Sequence, residues 1–301
     1  MWLYYLLILI SVVMFGGSFG LQDLYRRMRG SGIRISMEST CVGALAGFLV
    51  LLAVNGFAFE YTPFTLLMAT LSSINGMVFT FCSFRALDYI NLSLFSVFAM
   101  LGGMVLPFFQ GIFFYDEKFT IAKVICLLFI IVALALTAER GEKKRGTVFY
   151  IGIFVLNGMS GVISKIFTAS ELPKASAAGY SIWSAVMTVL LSGFMWLVLS
   201  ASERRRAEGQ GAVVSTTNPK VVWQSCGISA LYGSINKVAN FLLVIALVYV
   251  DASVQYPMVT GGTMIVSTII SCFADKKPNK REILSVAFAF VGMLALFFIP
   301  A

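Results

Sequence analysis

ALDYINLSLFSVFAMLG, from Ala86 to Gly102, and ALVYVDASVQYPMVTGG, from Ala246 to Gly262, align without a gap at a shift of 160 positions. Both begin with Ala-Leu, share a tyrosine and a serine, and end on a glycine. The same shift pairs further residues downstream: Met104 with Met264, Phe113 with Phe273, and Leu134–Leu136 with Leu294–Leu296. The match extends over two apolar segments and their connection, so it predicts that the chain contains two related halves.

The composition is that of a membrane protein. Of 301 residues, 59% are hydrophobic and 12% are charged, and the mean hydropathy is +0.90. Soluble domains average roughly 45–50% apolar and 25% charged residues. Apolar runs of about 20 residues, each long enough to cross the hydrocarbon core as a helix, recur along the chain. They predict ten spans, near residues 2–22, 38–58, 63–87, 91–114, 119–138, 147–169, 175–201, 221–249, 252–274 and 282–299.

The internal repeat predicts how these spans are arranged. The shift of 160 positions relates spans three to five to spans eight to ten, so each half contains five spans. Because five is odd, the second half enters the membrane from the side opposite to the first. We therefore predict an all-α membrane protein of ten transmembrane helices, built as two inverted five-helix repeats over residues 1–145 and 146–301. Inverted repeats are typical of secondary transporters with a site near the midplane.

Positive charge is concentrated on one set of connections. Arginine and lysine cluster there in four groups: Arg26–Arg34, Arg140–Arg145, Arg204–Lys220 and Lys276–Arg281. The opposite set holds Lys118, Lys123 and Lys174. The positive-inside rule predicts that the rich side is cytoplasmic, which places both termini outside the cell (inner) membrane. The net charge of +8 suits the anionic inner leaflet and requires no nucleic acid. The polar stretch Ser202–Lys220 is predicted to be a mobile linker.

The segment Ala86–Thr137 resembles the EamA-type repeat of the drug/metabolite transporter superfamily. It has a short polar link, an apolar span containing Pro107, an acidic turn and a smooth apolar span. The turn contains Glu117, Lys118 and Thr120. The second half has Ser267 in place of the proline and DKKPNKRE in place of DEKFT. The resemblance implies a ten-helix carrier that works by alternating access. Spans one, three, four, six, eight and nine would surround the cavity, and spans five and ten would support it from outside. Its termini would be cytoplasmic, opposite to the orientation that the charges predict.

A lysine lies inside the eighth span. Lys237 is flanked by Asn236 and Asn240 in the stretch SINKVANFLLVIALVYV, from Ser234 to Val250. At 1.5 Å per residue it falls near the middle of the span, where a lysine costs about 2.5–3.5 kcal/mol on insertion scales. We therefore predict that Lys237 lines a substrate cavity. The alternative is a structural amine bonded to helix carbonyls or to Asn75 of the third span.

Other polar side chains inside the spans are candidates for the same cavity. Besides Lys237, the predicted substrate-binding residues are Asn236, Asn240, Asn75, Lys165, Asn157, Gln255, Tyr256 and Gln22. For Lys165 the alternative is an amine that snorkels to the outer surface. The serines and threonines of the spans more often join helices than bind ligands. The stretch GALAG, Gly43–Gly47, is a small-residue packing face and suggests a possible homodimer.

The sequence predicts no enzyme, cofactor or metal centre. It contains no histidine, and its 14 acidic residues lie near the predicted span ends. The cysteines lack the spacing of metal ligands and are predicted to be small apolar fillers. No nucleophile–base pair or phosphate-binding loop is present. Small multidrug exporters related to the superfamily carry a glutamate in their first span, and its absence from Trp2–Gln22 disfavours a pump for cationic drugs.

Three functional hypotheses follow from these patterns. The leading one is a carrier for a small anionic or zwitterionic metabolite, in which Lys237 pairs with a carboxylate or phosphate. The second is a broad-specificity exporter of apolar or aromatic compounds with an adaptable cavity of phenylalanine and methionine. The third is a non-transporting membrane scaffold or channel. The expected partners are a small-molecule substrate and the lipid bilayer.

Overall fold

The computed structural model describes residues 2–114, 121–137, 146–209, 218–247, 249–250, 252–274 and 277–298. This part of the chain is all helical. Its ten helices are α1 (Trp2–Arg29), α2 (Ile33–Val54), α3 (Pro63–Tyr89), α4 (Leu92–Phe114), α5 (Ile121–Thr137), α6 (Thr147–Ala169), α7 (Ala177–Gly209), α8 (Pro219–Leu247), α9 (Ala252–Cys272) and α10 (Lys280–Phe298). Several residues singled out above lie outside the described part: Glu117, Lys118, Thr120, Arg140, Lys143, Lys144, Arg145 and Lys276. The side chains of Lys123, Cys126 and Tyr256 do so too.

Five of the described helices are long and apolar enough to cross a membrane: α1, α2, α3, α6 and α7. Shorter apolar stretches lie in α4, over Leu92–Pro107, and in α9, over Met258–Cys272. These helices have the length and composition of membrane-spanning segments, as expected for a membrane protein. The four cysteines with described side chains, Cys41, Cys82, Cys226 and Cys272, are free.

Polar residues between the helices fix where some of them begin. Thr62 accepts a hydrogen bond from the backbone N–H of Thr65 and so caps α3, whose first residue is a proline. At α10, Asn279 and Glu282 exchange backbone-to-side-chain hydrogen bonds in a capping box. Each arrangement satisfies N–H groups that the first helical turn leaves unpaired. Asn91 also donates to Glu282 at 2.6 Å, so the α3–α4 connection is tied to the start of α10.

Two helices are longer than their apolar runs predict. Helix α1 continues past residue 22 to Arg29, and α7 continues to Gly209. The prediction of a linker over Ser202–Lys220 is therefore wrong for its first eight residues, which are helical, and for its last two, which begin α8. Alanine, glutamate and arginine in this stretch are strong helix formers. An ion pair at 2.7 Å between Glu203 and Arg34 of α2 also ties the extension to the bundle.

Helices α2 and α8 cross at a contact between two glycines. Gly43 and Gly233 meet backbone to backbone, so a Cβ atom on Gly233 would overlap the carbonyl group of Gly43. One turn further along α2, a Cβ atom on Gly47 would lie 3.1 Å from the carbonyl oxygen of Gly233 and 2.6 Å from Cγ of Lys237. The GALAG face is therefore covered by α8 within the chain and gives no support to a homodimer.

Helices α7 and α3 cross at the corresponding positions of the other half, with hydroxyl groups in place of glycines. Ser73 Oγ donates to the carbonyl oxygen of Ser184 at 2.9 Å, and Thr188 Oγ1 donates to Ser73 Oγ at 3.0 Å. Ser73 is 160 positions before Gly233, and the two α7 residues are 141 positions after the two α2 glycines. One constant shift for each helix thus relates this crossing to the α2–α8 crossing.

Helices α4 and α6 approach so closely that glycine is required on both sides. A Cβ atom on Gly102 would overlap the carbonyl oxygen of Phe154, and a Cβ atom on Gly158 would lie 2.7 Å from Cβ of Leu106. Pro107 also packs on α6, where a Cβ atom on Gly161 would lie 2.5 Å from its ring. This seam places the middle of α6 beside the middle of α4.

Helices α9 and α1 repeat the α4–α6 crossing. A Cβ atom on Gly262 would lie 2.6 Å from Cγ1 of Val12, and one on Gly16 would overlap the side chain of Val266. In α9, Gly262 and Val266 are 160 positions after Gly102 and Leu106. In α1, Val12 and Gly16 are 142 positions before Phe154 and Gly158. Consistent with this, α1 packs against α8 and α9, whereas α6 packs against α3 and α4.

Ion pairs join the helices at one end of the bundle, which we name the arginine end and define by Arg26, Arg29 and Arg34. Arg26 bridges Asp23 of its own helix and Asp88 of α3, with N–O distances of 2.8 and 2.7 Å. Arg29 pairs with Glu38 of α2 at 2.8 Å, and both side chains are more than nine-tenths buried. Helices α1, α2, α3 and α7 are thus held together by charge at this end.

Hydrogen bonds join the connections at the opposite end. The indole N–H of Trp183 donates to the backbone carbonyl of Glu60 at 2.7 Å, and its ring contacts Phe59 edge-on at 4.8 Å between centroids. The backbone N–H of Ser176 donates to the carboxylate of Glu60. This hydrogen bond lowers the pKa of Glu60 because it stabilises the charged form.

Candidate functional site

Lys237 is held by the close crossing of α2 and α8. It lies on α8 about 15 Å from the end of that helix at Leu247, at 1.5 Å per residue. Gly47 has no side chain, so Cβ and Cγ of the lysine fit against it. A Cβ atom added to Gly47 would lie 3.2 and 2.6 Å from these two atoms. The stem of the lysine is therefore fixed against α2, and the residue as a whole is half-buried.

The amine of Lys237 has no polar partner in the part of the chain that the structure describes. No hydrogen bond or ion pair reaches it, and Asn75 instead donates to the backbone of α6. The structural alternative, an amine bonded to helix carbonyls or to Asn75, is thus not seen among these residues. A cation within a membrane-length helix needs water, an anion or a carbonyl group to compensate it. Lys237 is therefore available to an anionic group.

The cation has no counterpart in the other half. The shift of 160 positions that relates α3 to α8 places Met77 at the position equivalent to Lys237. Met77 is half-buried and apolar. The two halves thus repeat their helix crossings, but at this pair of equivalent positions the second half carries a charge and the first does not.

Asn236 and Asn240 line the same side of α8 as Lys237. The amide nitrogen of Asn240 donates to the backbone carbonyl of Asn236 at 2.8 Å and to its side-chain oxygen at 3.2 Å. Asn240 is exposed and Asn236 is half-buried. Both amides keep unused hydrogen-bonding capacity beside the lysine, since each can form up to four hydrogen bonds.

Three of the other predicted site residues fasten helices to one another. The amide nitrogen of Asn75 donates to the carbonyl oxygen of Leu156 in α6 at 2.9 Å. The amide nitrogen of Asn157 donates to the carbonyl oxygen of Ala99 in α4 at 2.6 Å. Gln255 donates to the carbonyl oxygen of Leu243 at 2.8 Å. These bonds use part of each amide for packing, as polar residues between membrane helices commonly do.

The remaining predicted residues differ in environment. Gln22 is buried, and neither its amide nitrogen nor its oxygen has a hydrogen-bond partner among the described residues. Lys165 is half-buried in α6, four residues before the helix ends. The side chain of Tyr256 lies outside the described part of the structure. Within that part, no group of three or more histidine, cysteine, aspartate or glutamate residues could hold a metal ion.

Many hydroxyl groups act as predicted for serine and threonine in membrane helices. Ser39 bonds to Ser229 across α2 and α8 at 2.9 Å, and Ser93 bonds to Thr268 across α4 and α9, also at 2.9 Å. Ser285 donates to Ala133 and joins α10 to α5. These residues are helix contacts, which leaves the face of Lys237, Asn236 and Asn240 as the candidate site.

Sequence reasoning missed the part that Gly47 plays. A signal for it exists: glycines four residues apart in α2 match Gly233 and Lys237, which are also four residues apart in α8. Residues at that spacing share one helix face. A sequence pattern can thus suggest which small residues support a buried lysine stem, although it does not name the partner helix.

We expect Gly47→Ala to act mainly through Lys237. The new methyl group would collide with Cγ of the lysine, so the variant should lower the thermal denaturation midpoint in detergent. In a Lys237→Ala background that atom is absent, and the same change should cost less. The coupling energy of such a double-mutant cycle is expected to be about 0.5–3 kcal/mol.

Gly43→Ala is the matched control for this cycle. Its methyl group would face the backbone of Ser229 and Gly233 at 3.0 and 3.4 Å, and shortening Lys237 relieves neither contact. Its cost should therefore be the same in both backgrounds. Additive effects for Gly47→Ala would show that the glycine does not set the position of the lysine.

Comparison with known proteins identifies the fold alone. No protein-family model and no curated protein sequence matches the chain. Among solved structures, one described only as "Crystal structure of protein" is similar with a TM-score of 0.53 at 14% sequence identity. The similarity covers 96% of this chain and 99% of that one. Nearly the whole helix arrangement thus occurs in an experimentally solved protein.

Proposed function

We propose that this chain is a secondary transporter that moves a small anionic or zwitterionic metabolite across the membrane by alternating access. The observation that carries the proposal is the amine of Lys237, which lies inside a long helix and has no described polar partner. Lys237 would pair with the carboxylate or phosphate of the substrate, and Asn236 and Asn240 would offer neutral hydrogen bonds beside it. An ammonium group in a partly desolvated site attracts an anion more strongly than it would in water.

The contacts between connections support ten membrane crossings. In a chain that crosses at every helix, the first, third, seventh and ninth connections lie on one side. Arg26–Asp88, Arg34–Glu203 and Asn91–Glu282 all join residues at those connections. Glu60 and Ser176, which bond at the other end, belong to the second and sixth connections. Every one of these contacts agrees with alternating crossings.

The recurring helix crossings support the inverted repeat. The α4–α6 and α9–α1 seams use equivalent residues, and so do the α3–α7 and α8–α2 seams, under one shift for each helix. Related halves with five spans each would be inverted with respect to one another. Two states of such a pair, open to opposite sides, provide a route for alternating access around a central site.

The charge distribution supports an orientation with the arginine end in the cytoplasm and both termini outside. Single cysteines placed in a cysteine-free background test this. Arg204→Cys should resist an impermeant thiol reagent in intact cells and react after the membrane is permeabilised. Glu171→Cys, in the exposed connection after α6, should react in both conditions. If only Arg204→Cys were labelled in intact cells, the orientation would be the opposite of the proposed one.

The function is tested in two steps with purified protein. A thermal-shift screen against carboxylates, phosphates, amino acids and aromatic compounds should single out an anionic or zwitterionic compound. That compound should then show saturable counterflow in liposomes, which distinguishes a carrier from a channel. Stabilisation by uncharged aromatic compounds alone would favour the exporter of apolar compounds. A lack of counterflow for every stabilising compound would contradict transport.

A further inference from the structure

The polar extension at the end of α7 carries an open groove with a volume of about 470 Å³. It is lined by Val198, Ala201, Ser202, Arg205 and Arg206. These positions recur at spacings of three and four residues, so they form one face of the helix. The face is apolar toward the bundle middle, then presents a hydroxyl group, and ends in two guanidinium groups.

The depth of the groove follows from the other end of the same helix. Trp183 lies near the start of α7, where its indole is bonded to the α2–α3 connection, and tryptophan is typical of the membrane interface. At 1.5 Å per residue, Ala201 lies about 27 Å and Arg205 about 33 Å along the helix from Trp183. The hydrocarbon core is about 30 Å thick. The apolar wall therefore ends where the core ends, and the arginines lie among the lipid headgroups.

The two arginines are available to a ligand. Both side chains are exposed, and no ion pair within the described residues reaches either of them. The neighbouring Glu203 is already paired with Arg34 of α2. A guanidinium group offers two parallel N–H donors that match a phosphate. The surface thus carries uncompensated positive charge directly beyond an apolar wall.

We propose that this groove binds one anionic glycerophospholipid of the cytoplasmic leaflet. Its phosphate would accept hydrogen bonds from Arg205, Arg206 and the hydroxyl group of Ser202, and an acyl chain would lie along Val198 and Ala201. The match is one of charge and of depth: a negative headgroup above an apolar chain meets guanidinium groups above an apolar wall. The site is independent of the proposed substrate site on α8.

Native mass spectrometry of the protein released from nanodiscs of mixed phosphatidylcholine and phosphatidylglycerol tests the proposal. The wild-type protein should retain phosphatidylglycerol in preference to phosphatidylcholine. Arg205→Gln and Arg206→Gln should each reduce this preference by about tenfold or more, since a direct hydrogen bond to a charged group is worth about 1.5–3 kcal/mol. Arg204→Gln is the matched control, because it removes the same charge from the same turn without lining the groove.

A second pair of variants tests the shape of the groove at constant charge. Ala201→Phe fills the apolar wall and should also reduce retention, whereas Leu197→Phe, on the exposed surface outside the groove, should not. Equal losses for Arg204→Gln and Arg205→Gln would show diffuse attraction and overturn the site. So would unchanged retention in Ala201→Phe, equal retention of both lipids, or displacement of the lipid by inorganic phosphate.

Discussion

Lys237→Gln is expected to reduce transport of an anionic substrate by about tenfold to a hundredfold. A hydrogen bond to a charged group is worth about 1.5–3 kcal/mol, which corresponds to that range. Glutamine keeps the polarity and most of the length of the side chain while it removes the positive charge. The thermal denaturation midpoint and the amount of protein in the membrane should change little, because the amine has no described partner to lose. The readout is counterflow of the compound that stabilises the wild-type protein.

Lys220→Gln is the matched control for this prediction. It removes the same charge from an exposed position on the same helix, about 26 Å away along its axis. Transport by this variant should remain near that of the wild-type protein. Lys237→Arg should also be impaired, since a planar guanidinium group cannot replace a compact ammonium group in a fitted pocket. Wild-type rate and affinity in Lys237→Gln would make the lysine structural and remove the main support for an anionic substrate.

Gly102→Ala is expected to destabilise the protein more than the equivalent change Gly262→Ala. A methyl group at position 102 would overlap the backbone of α6 at Phe154, so two helices would have to separate. At position 262 the methyl group would contact the side chain of Val12, and a smaller movement of that side chain would relieve the clash. Overpacking of a tight interior typically costs about 1–3 kcal/mol, occasionally more, and the first variant should lie at the upper end.

Gly17→Ala provides the reference for both variants. The same methyl group would meet nothing within 4 Å at that position. Alanine in a helix is favoured over glycine by about 0.5–1 kcal/mol, so this variant should be as stable as the wild-type protein or more so. Thermal denaturation in one detergent gives the order. If Gly102→Ala were as stable as Gly17→Ala, the α4–α6 seam could not be as close as described.

Hydropathy predicted where the helices lie and missed where two of them end. Apolar length locates a helix inside a bilayer, but the extensions of α1 and α7 beyond the apolar runs are polar. Their helical form depends on propensity and on ion pairs such as Arg29–Glu38 and Arg34–Glu203. Those partners are distant in sequence or on another helix, so the periodicity of a single segment does not contain them.

The location of Lys237 inside a long helix could be predicted from sequence, whereas the hydrogen-bond partners of most amides could not. Position along an apolar run gives the distance from the helix ends directly, because the rise of a helix is constant. The direction in which Asn75 and Asn157 point depends on which helix is adjacent, and both turned out to bond to neighbouring backbone. Gly43 and Gly47 were likewise recognisable as a packing face, but their partner α8 is nearly two hundred positions away.

The ion pairs of the arginine end have an energetic consequence for the proposed transport cycle. A frame made of two equivalent halves would give states open to either side with similar free energies. The pairs of Arg26 and Arg29 join α1 to α3 and α2 at the arginine end. In the proposed cycle, these pairs would stabilise the state in which that end is shut. The resting equilibrium would therefore favour an outward-open form. Breaking the ion pairs would cost free energy in the step that opens the arginine end, and the return step would recover it.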